Sequence, residues 1–322
     1  MTPKNYIDAV LAEKPSIKQV YWVACGGSMI DMIPASYLVN AQSKGIVSAF
    51  YTGREFCLMP PAKLGEETLV ITCSHSGNTP ENYDAATLAK SRGAAVIAMT
   101  NNAGSRIDSG EWPCWVYVWE DETPQSEKPA AFSLMLAAEL IKALEGIDLY
   151  DALVEGIAKM DQILVAAKAK CNDELGERFA ALCKEHKFLY ILGSGPAFSQ
   201  TYGFAICSLQ EMQWQDCCYI HSGEYFHGPF ECTEDGVFYF LQMGSGVNRM
   251  MDERALAFLK THTDTLMVLD ALEYGMDVID ESVRPYLDPI LFYEMNVTLR
   301  AARGKVFDHD PDYRRYMGKV QY

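Results

Sequence analysis

The chain has 322 residues and a formal net charge of −16, because 43 Asp and Glu outnumber 27 Lys and Arg. This acidic balance argues against a nucleic-acid partner, which needs a basic footprint, and against an anionic membrane surface. With 49% hydrophobic and 22% charged residues, the composition is typical of a globular protein rather than a disordered one. The length predicts two domains or one large domain.

The sequence carries no membrane or secretion signal and no metal-binding pattern. No uninterrupted apolar stretch approaches the roughly 20 residues of a membrane-spanning helix, and the N-terminus lacks a signal-peptide pattern. The ten cysteines form no CxxC pair, and several lie in strand-like apolar runs, which favours buried, reduced thiols. Cys217 and Cys218 lack a second ligand pair at zinc spacing. We therefore expect a cytoplasmic protein without a metal or other cofactor.

Short apolar strands alternate with helical patterns in the first half of the chain. The predicted strands and helices, in chain order, are 18–25 (strand), 29–41 (helix), 46–51 and 68–73 (strands), 81–92 (helix), 94–99 and 115–119 (strands) and 129–144 (helix). Near-continuous apolar strands that alternate with helices indicate a parallel sheet covered by helices on both faces.

The second half repeats this pattern. Its predicted elements are 150–170 and 172–186 (helices), 188–192 (strand), 197–214 (helix), 237–241 (strand), 252–260 (helix), 265–269 (strand) and 293–303 (helix), followed by a charged tail over 307–322. Each half opens with a strand, a Gly/Ser loop and a helix, a weak internal duplication. The sequence therefore predicts an α/β fold of two domains, 1–146 and 147–322.

Hydroxyl side chains follow the predicted strand 68–73 in the segment SHSGNTP, residues 74–80. Pro80 suits the first position of a helix, with Thr79 as the N-cap. Ser74, Ser76 and Thr79 would then surround the positive end of a helix dipole, which can hold a phosphate without Lys or Arg. The alternative, that these residues only cap a helix, stays open on local sequence.

A second Gly/Ser loop, Gly26-Gly27-Ser28, ends the first predicted strand. Ligands of open parallel sheets bind beyond the carboxyl ends of the strands, so both loops point to one crevice. Neither loop matches the GxGxxG or P-loop pattern. A small phosphorylated ligand therefore fits better than a dinucleotide or ATP.

The second half contains a carboxylate and an imidazole in unusual positions. Glu211 lies late in an otherwise apolar helix, where a carboxylate is costly unless it is partnered or functional. His227 precedes Gly-Pro and therefore lies in a constrained turn. Such a pair can divide proton transfers between carbon and oxygen. A turn histidine that hydrogen-bonds the backbone, and a capping or ion-pairing Glu224, are the alternative interpretations.

Six segments together resemble a known family. YWVACGGS, CSHSGNTPEN, EMQW, HSGEYFHGPFE, DERALAFLK and RRYMGKVQY are similar to the sugar-isomerase (SIS) domain family and, within it, to the fructosamine-6-phosphate deglycases that act on fructoselysine or fructose-asparagine 6-phosphate. The resemblance covers nearly the whole chain. It implies two tandem SIS domains, each a parallel sheet between helices.

The resemblance also implies roles for individual residues. Ser28, Ser74, Ser76 and Thr79 would bind the sugar phosphate, Glu211 would be the general base, and His227 would be the second catalytic residue. Four further residues are weaker candidates for substrate contact: Gly27, His75, Glu224 and Lys319. For His75 we expect at most a backbone contact, and for Lys319 a solvated tail position remains the alternative.

The implied reaction converts a phosphorylated Amadori product to glucose 6-phosphate and a free amine or amino acid, without a metal or redox cofactor. The family also implies a homodimer or higher homo-oligomer with active sites at the subunit interface. A phosphosugar isomerase or an amino-sugar-phosphate deaminase on the same fold is the alternative enzyme. A catalytically silent sugar-phosphate sensor is the alternative from another class, and Glu211 with His227 argues against it.

Overall fold

The computed structural model describes residues 1–320 and divides the chain into two compact units. The first unit is Met1–Ile157, and the second begins at Ala158. The helix Tyr150–Cys171 runs through the boundary between them. Among the described residues, no helix has the length and apolar character that a bilayer crossing requires.

The first unit is built on a five-stranded parallel sheet with the order β2-β1-β3-β4-β5. The strands are β1 (Gln19–Ala24), β2 (Val47–Thr52), β3 (Thr68–Cys73), β4 (Ala95–Thr100) and β5 (Cys114–Val116). Every residue of β1 and β3 is buried, as expected for central strands with helices on both faces. The predicted parallel sheet is confirmed.

Helices cover both faces of this sheet. They are α1 (Pro3–Glu13), α2 (Gly27–Ile30), α3 (Ile33–Gln42), α4 (Gly53–Leu58), α5 (Pro80–Ser91) and α6 (Pro129–Leu144). Tyr21, Val23 and Val70 pack with α4 and α5 on one face, while α1 and α3 pack against α6. A single helix over 29–41 is wrong, because the chain breaks between α2 and α3.

The strand order fixes the position of the two Gly/Ser loops. The chain passes from β1 to the edge strand β2 and then crosses back to β3 on the other side of β1. Val23 pairs with Thr72 at the carboxyl ends of β1 and β3. Since the strand order reverses between these neighbours, the loops after β1 and β3 meet at the switch point of the sheet.

The second unit contains a four-stranded parallel sheet with the order β7-β6-β8-β9. Its strands are β6 (Phe188–Gly193), β7 (Asp216–His221), β8 (Phe238–Met243) and β9 (Leu266–Asp270), and its α-helices are α7 (Tyr150–Cys171, shared with the first unit), α8 (Glu177–Glu185), α9 (Phe198–Gly203), α10 (Arg249–His262) and α11 (Arg284–Phe307). Two π-helical segments, Asn172–Gly176 and Phe204–Met212, follow α7 and α9.

Three features of the second unit differ from the sequence-based expectation. The edge strand β7 is absent from the predicted elements, because its apolar run, residues 217–220, is only four residues long and half of the strand is exposed. The last helix begins nine residues earlier than predicted, at Arg284, and contains Pro289. The helix predicted over 197–214 is α9 followed by the π-helical segment, which ends at Met212.

The cysteines are free thiols, but not all of them are buried. All ten lie in the described range without a disulfide. Four are buried, four are half-buried, and Cys218 and Cys232 are exposed, so the expectation of buried thiols holds for only part of the set. Burial raises the pKa of the Cys73 thiol to about 12, which suits an inert core residue.

Candidate functional site

A tight turn connects β3 to α5 in the first unit. Gly77 in this turn has φ +71°, and its N–H donates to the Ser74 carbonyl at 2.9 Å. A β-carbon at Gly77 would lie 1.8 Å from Ser105 Oγ. Only glycine combines the left-handed conformation with this close approach, so the sequence SHSGNTP folds into one defined turn.

The hydroxyl groups of the turn have different surroundings. Ser74 Oγ donates to Thr79 Oγ1 at 2.9 Å and accepts from the Thr79 N–H at 3.4 Å. Ser76 Oγ accepts from the Asn78 N–H at 3.3 Å. Ser74 is buried, whereas Ser76 is exposed. Ser74 therefore supports the turn from inside, and Ser76 presents its hydroxyl to solvent.

Ser28 joins this turn from the neighbouring loop. Its Oγ accepts from the His75 N–H at 3.3 Å, which is a direct contact between the loops after β1 and β3. Gly26 precedes α2 with φ +55°, and the exposed Gly27 is the first residue of α2. The structure thus brings Ser28, Ser74, Ser76 and Thr79 to the same end of the sheet.

The N-terminus of α5 opens onto this group of hydroxyls. Thr79 is the N-cap and Pro80 begins the helix, as the sequence predicts. The Thr79 side chain makes no capping bond to α5, and its hydroxyl accepts from Ser74. The buried Asn82 donates to the Cys73 carbonyl at 2.6 Å and fixes the helix to β3. Twelve aligned peptide units give this end a partial positive charge of about half a unit.

Aromatic and charged side chains lie beside the turn. The His75 Nδ1 and the Tyr117 hydroxyl are 3.0 Å apart, and the Trp119 ring meets His75 edge to face. The Lys128 ammonium lies 5.5 Å from the centre of the Trp119 ring. Burial raises the pKa of Asp31 to about 7, and the charge of Lys128 opposes that shift. Sequence reasoning missed Asp31 and Lys128, because no motif links positions so far apart.

The corresponding loop of the second unit is filled by the protein itself. After β8, Ser245 donates through its N–H and its hydroxyl to the buried Asp288, at 2.6 and 2.7 Å. Asp252 accepts from the Gly244 N–H at 3.3 Å. Burial raises the pKa of Asp288 to about 7 and that of Asp252 to about 6. Carboxyl groups of the chain thus accept hydrogen bonds from the donors of this loop. In the loop after β3 of the first unit, the hydroxyl groups bond to one another and to the backbone instead.

Glu211 lies in the π-helical segment Phe204–Met212. Such wide helical turns are frequent at functional sites. Its side chain is 18% exposed, and its Oε1 accepts from Arg314 Nε at 2.5 Å. The expected partner of this carboxylate is therefore a residue of the tail, far away in the sequence. No hydrogen bond to Oε2 is formed within the part of the chain that the structure describes.

The tail after α11 is anchored beside Glu211. The His309 ring and the Met212 carbonyl are 2.8 Å apart, and the Gln213 amide donates to the Pro311 carbonyl at 3.2 Å. Lys319 Nζ donates to the Arg314 carbonyl at 2.6 Å. Lys319 is exposed and is folded back onto the residue that pairs with Glu211.

His227 ends a short 3₁₀ turn, Tyr225–His227, and is exposed. Its N–H donates to the Glu224 carbonyl at 2.9 Å. Gly228 follows with φ +146°, and the buried Tyr225 anchors the turn through Thr233. The turn is constrained, as predicted. Glu224 is exposed at its start and forms no side-chain cap.

The structure thus forms two groups of candidate residues, one in each unit. Hydroxyls and a helix N-terminus in the first unit suit an anion, while Glu211 and His227 in the second unit suit proton transfer. Among residues 1–320, no cluster of three or more His, Cys, Asp or Glu side chains is arranged to hold a metal ion.

Comparisons with known proteins show the family of the chain. The family model of the SIS domain matches residues 16–143. The chain is 36% identical to a fructosamine deglycase of Bacillus subtilis (strain 168), over 95% of this chain and 93% of that protein. It is 29% identical to a fructoselysine 6-phosphate deglycase of Escherichia coli (strain K12), over 97% of this chain and 89% of that protein.

A solved structure has the same fold. The chain is similar to a Salmonella typhimurium LT2 protein described as a phosphosugar isomerase, with a TM-score of 0.96 and 32% identity. The match covers 100% of this chain and 96% of that one. Both parallel-sheet units therefore have counterparts in one relative.

Proposed function

This chain belongs to the SIS-domain family of fructosamine deglycases, and we propose that it converts a fructosamine 6-phosphate to glucose 6-phosphate and a free amine or amino acid. The observation that carries this proposal is the identity of 36% to a deglycase over 95% of the chain. The hydroxyl-lined turn of the first unit supports it, because a neutral donor set suits a sugar phosphate on a chain with a net charge of −16.

In this proposal the phosphate lies between the loops that follow β1 and β3. Ser28, Ser76 and Thr79 donate hydroxyl hydrogen bonds, and Ser74 both contacts the phosphate and orients Thr79. The N-terminus of α5 adds its partial positive charge. Gly27 and His75 contribute backbone contacts at most.

Glu211 and His227 carry the proton transfers. The ring form of the substrate opens when His227 moves a proton between the anomeric hydroxyl and the ring oxygen. Glu211 then takes a proton from C1, which carries the amine, and an enaminol forms across C1 and C2. Because Arg314 contacts Oε1, Oε2 is the atom that accepts the proton.

Reprotonation and hydrolysis complete the reaction. A proton returns to C2, which converts the enaminol to an aldimine at C1. Water adds to the aldimine, and the C1–N bond breaks to release the amine and glucose 6-phosphate. Glu224 and Lys319 are candidates for contact with the amine side of the substrate. The chain would act as a cytoplasmic homodimer or higher homo-oligomer, with active sites at the subunit interface.

The proposal is tested by coupled detection of glucose 6-phosphate. The wild-type protein is expected to release it from 6-phosphofructosyl amino acids. Glu211→Gln and His227→Ala should each lower kcat by roughly 10²- to 10⁴-fold, the usual contribution of a positioned acid or base. Both variants should still bind the phosphosugar. Glu185→Gln, at the exposed end of α8, is the matched control and should keep wild-type kcat.

Two results would contradict the proposal. Wild-type turnover by Glu211→Gln would remove that residue from the role of base. Interconversion of glucose 6-phosphate and fructose 6-phosphate, without release of amine from any fructosamine 6-phosphate, would favour the simple isomerase instead.

A further inference from the structure

Arg314 contacts the proposed base, and its outer N–H donors have no part in the deglycase chemistry described above. Its Nε is bonded to Glu211 Oε1 at 2.5 Å, and its Nη1 donates to the Asp312 carbonyl at 3.3 Å. Within residues 1–320, the acceptor of Nη2 is the weakly accepting Met212 Sδ, at 3.9 Å. The Arg314 side chain is 40% exposed. Since a guanidinium carries five N–H donors, the Nη edge of Arg314 can donate further hydrogen bonds toward solvent, beside the proposed base.

The tail holds this guanidinium in place. Asp312 forms an ion pair with Arg300 at 2.8 Å, and Arg300 is largely buried on α11. Arg315, the next residue along, stacks over the Trp214 ring at 3.8 Å. The backbone around Arg314 is therefore held on one side to α11, through Asp312, and on the other to Trp214, two residues after the segment that carries Glu211. The guanidinium is a preorganised cationic group rather than a loose surface charge.

The charged groups beside Glu211 form two ion pairs. Asp312 is already neutralised by Arg300, so Glu211 faces Arg314 as the one acidic partner of that guanidinium in the described residues. A second carboxylate at this place would be repelled by Glu211 and attracted by Arg314. Arg314 can bridge the two, with Nε on Glu211 and the Nη edge on the incoming carboxylate, because a guanidinium binds carboxylates through parallel N–H bonds.

We propose that Arg314 binds the α-carboxylate of the amino acid that is attached to C1 of the substrate, and so selects α-linked conjugates. This inference rests on the proposed function, since it takes Glu211 as the base that acts at C1. Arg314 is then a specificity-determining residue, and its contact with the leaving group lies outside the atoms that exchange protons.

Bond lengths favour the α-linkage. A base takes a proton from a carbon at a separation of roughly 3 Å, so an anion on the Nη edge of Arg314 lies within about 5–8 Å of C1. In an α-linked amino acid, three bonds separate C1 from the carboxyl carbon, and the carboxylate oxygens reach about 5 Å. In an ε-linked lysine, seven bonds separate them, and the extended chain carries the carboxylate roughly 9 Å away.

A pair of substrates that differ in one charge tests this inference. We would compare 6-phosphofructosyl-glycine with 6-phosphofructosyl-glycinamide, which has the same shape without the carboxylate. Wild-type kcat/KM should be higher for the glycine conjugate, and Arg314→Gln should lower the glycine-to-glycinamide ratio by roughly 10- to 100-fold. The ratio for Arg314→Lys should lie between those of the wild-type protein and Arg314→Gln, because lysine keeps the positive charge but lacks the two parallel N–H donors. Arg178→Gln, at an exposed site on α8 bonded to the Leu266 carbonyl, is the charge-matched control.

Two outcomes would overturn the inference. If Arg314→Gln slows both substrates by the same factor, Arg314 acts only on Glu211 and not on the substrate. If Arg314→Gln leaves kcat/KM of both substrates unchanged, Arg314 has no part in recognition.

Binding of unreactive analogues separates this inference from the proposed function. Reduction of C2 to an alcohol gives hexitol phosphates of glycine and glycinamide that cannot form an enaminol. Calorimetric Kd values for these analogues should show the same ratio and the same loss in Arg314→Gln. A preserved Kd ratio overturns the inference even if turnover is normal. If the protein shows no turnover but the Kd ratio depends on Arg314, the proposed deglycase reaction is contradicted and the carboxylate contact is supported.

Discussion

Replacing Gly77 by alanine should damage the turn between β3 and α5 for two separable reasons. The residue has φ +71°, where an alanine costs about 1–2 kcal/mol. The added β-carbon would also lie 1.8 Å from Ser105 Oγ and 2.8 Å from Thr100 Oγ1, and such overpacking costs roughly 1–3 kcal/mol more. We therefore expect Gly77→Ala to lower the free energy of unfolding by about 2–5 kcal/mol and to raise KM for the phosphorylated substrate.

A neighbouring glycine isolates the steric part. Gly104 has nearly the same φ, +70°, but no atom lies within 4 Å of a β-carbon built on it. Gly104→Ala should therefore lower the free energy of unfolding only by the cost of an alanine at positive φ. The free energy of unfolding in urea and the KM of both variants are compared. Adding Ser105→Gly to Gly77→Ala should recover part of the stability that Gly77→Ala loses beyond Gly104→Ala. Equal effects of Gly77→Ala and Gly104→Ala would refute the close packing at the turn.

Three further predictions concern other parts of the chain. Burial raises the pKa of Asp31 to about 7 in the folded protein, whereas the carboxyl of the unfolded chain has a pKa of about 4. Between about pH 4 and pH 7 the folded state therefore binds more protons, and the free energy of unfolding falls as pH rises. In urea titrations over that pH range, the free energy of unfolding of the wild-type protein should fall by roughly 1–3 kcal/mol more than that of Asp31→Asn. Parallel pH profiles of the two proteins would contradict this. Gly228→Ala, at φ +146°, should displace His227 and lower kcat at least about tenfold with a small change in Tm; an unchanged kcat would argue against that role of the turn. In the native protein two of the ten thiols, Cys218 and Cys232, should react rapidly with a thiol reagent, because only they are exposed; rapid reaction of neither would contradict the structure.

The sheets could be predicted where apolar runs are continuous. The fully buried strands β1, β3 and β8 stand out in the sequence because both of their faces are covered. The edge strand β7 escapes prediction, since half of its residues are exposed and a turn at Trp214, with φ +51°, precedes it. Pro289 inside α11 hides the start of that helix, as a proline normally signals a break.

The candidate site was only partly accessible from sequence. The hydroxyls of residues 74–79 are neighbours along the chain, so one motif reveals them together. The approach of Ser28 to His75 follows from the strand order, which the sequence does not state. The pairing of Glu211 with Arg314 spans 103 positions, and only the folded tail reveals it. Local patterns thus identify segments, while contacts between distant segments require the structure.

The central claim, that Glu211 removes a proton from C1 and the sugar leaves as an aldose phosphate, is tested most directly with substrate deuterated twice at C1. The account predicts that the wild-type protein releases glucose 6-phosphate with one deuterium left at C1, detected by NMR, and that Glu211→Gln forms almost none. Release of fructose 6-phosphate with both deuterium atoms still at C1 would contradict it, because the C1–N bond would then have broken without proton abstraction at C1.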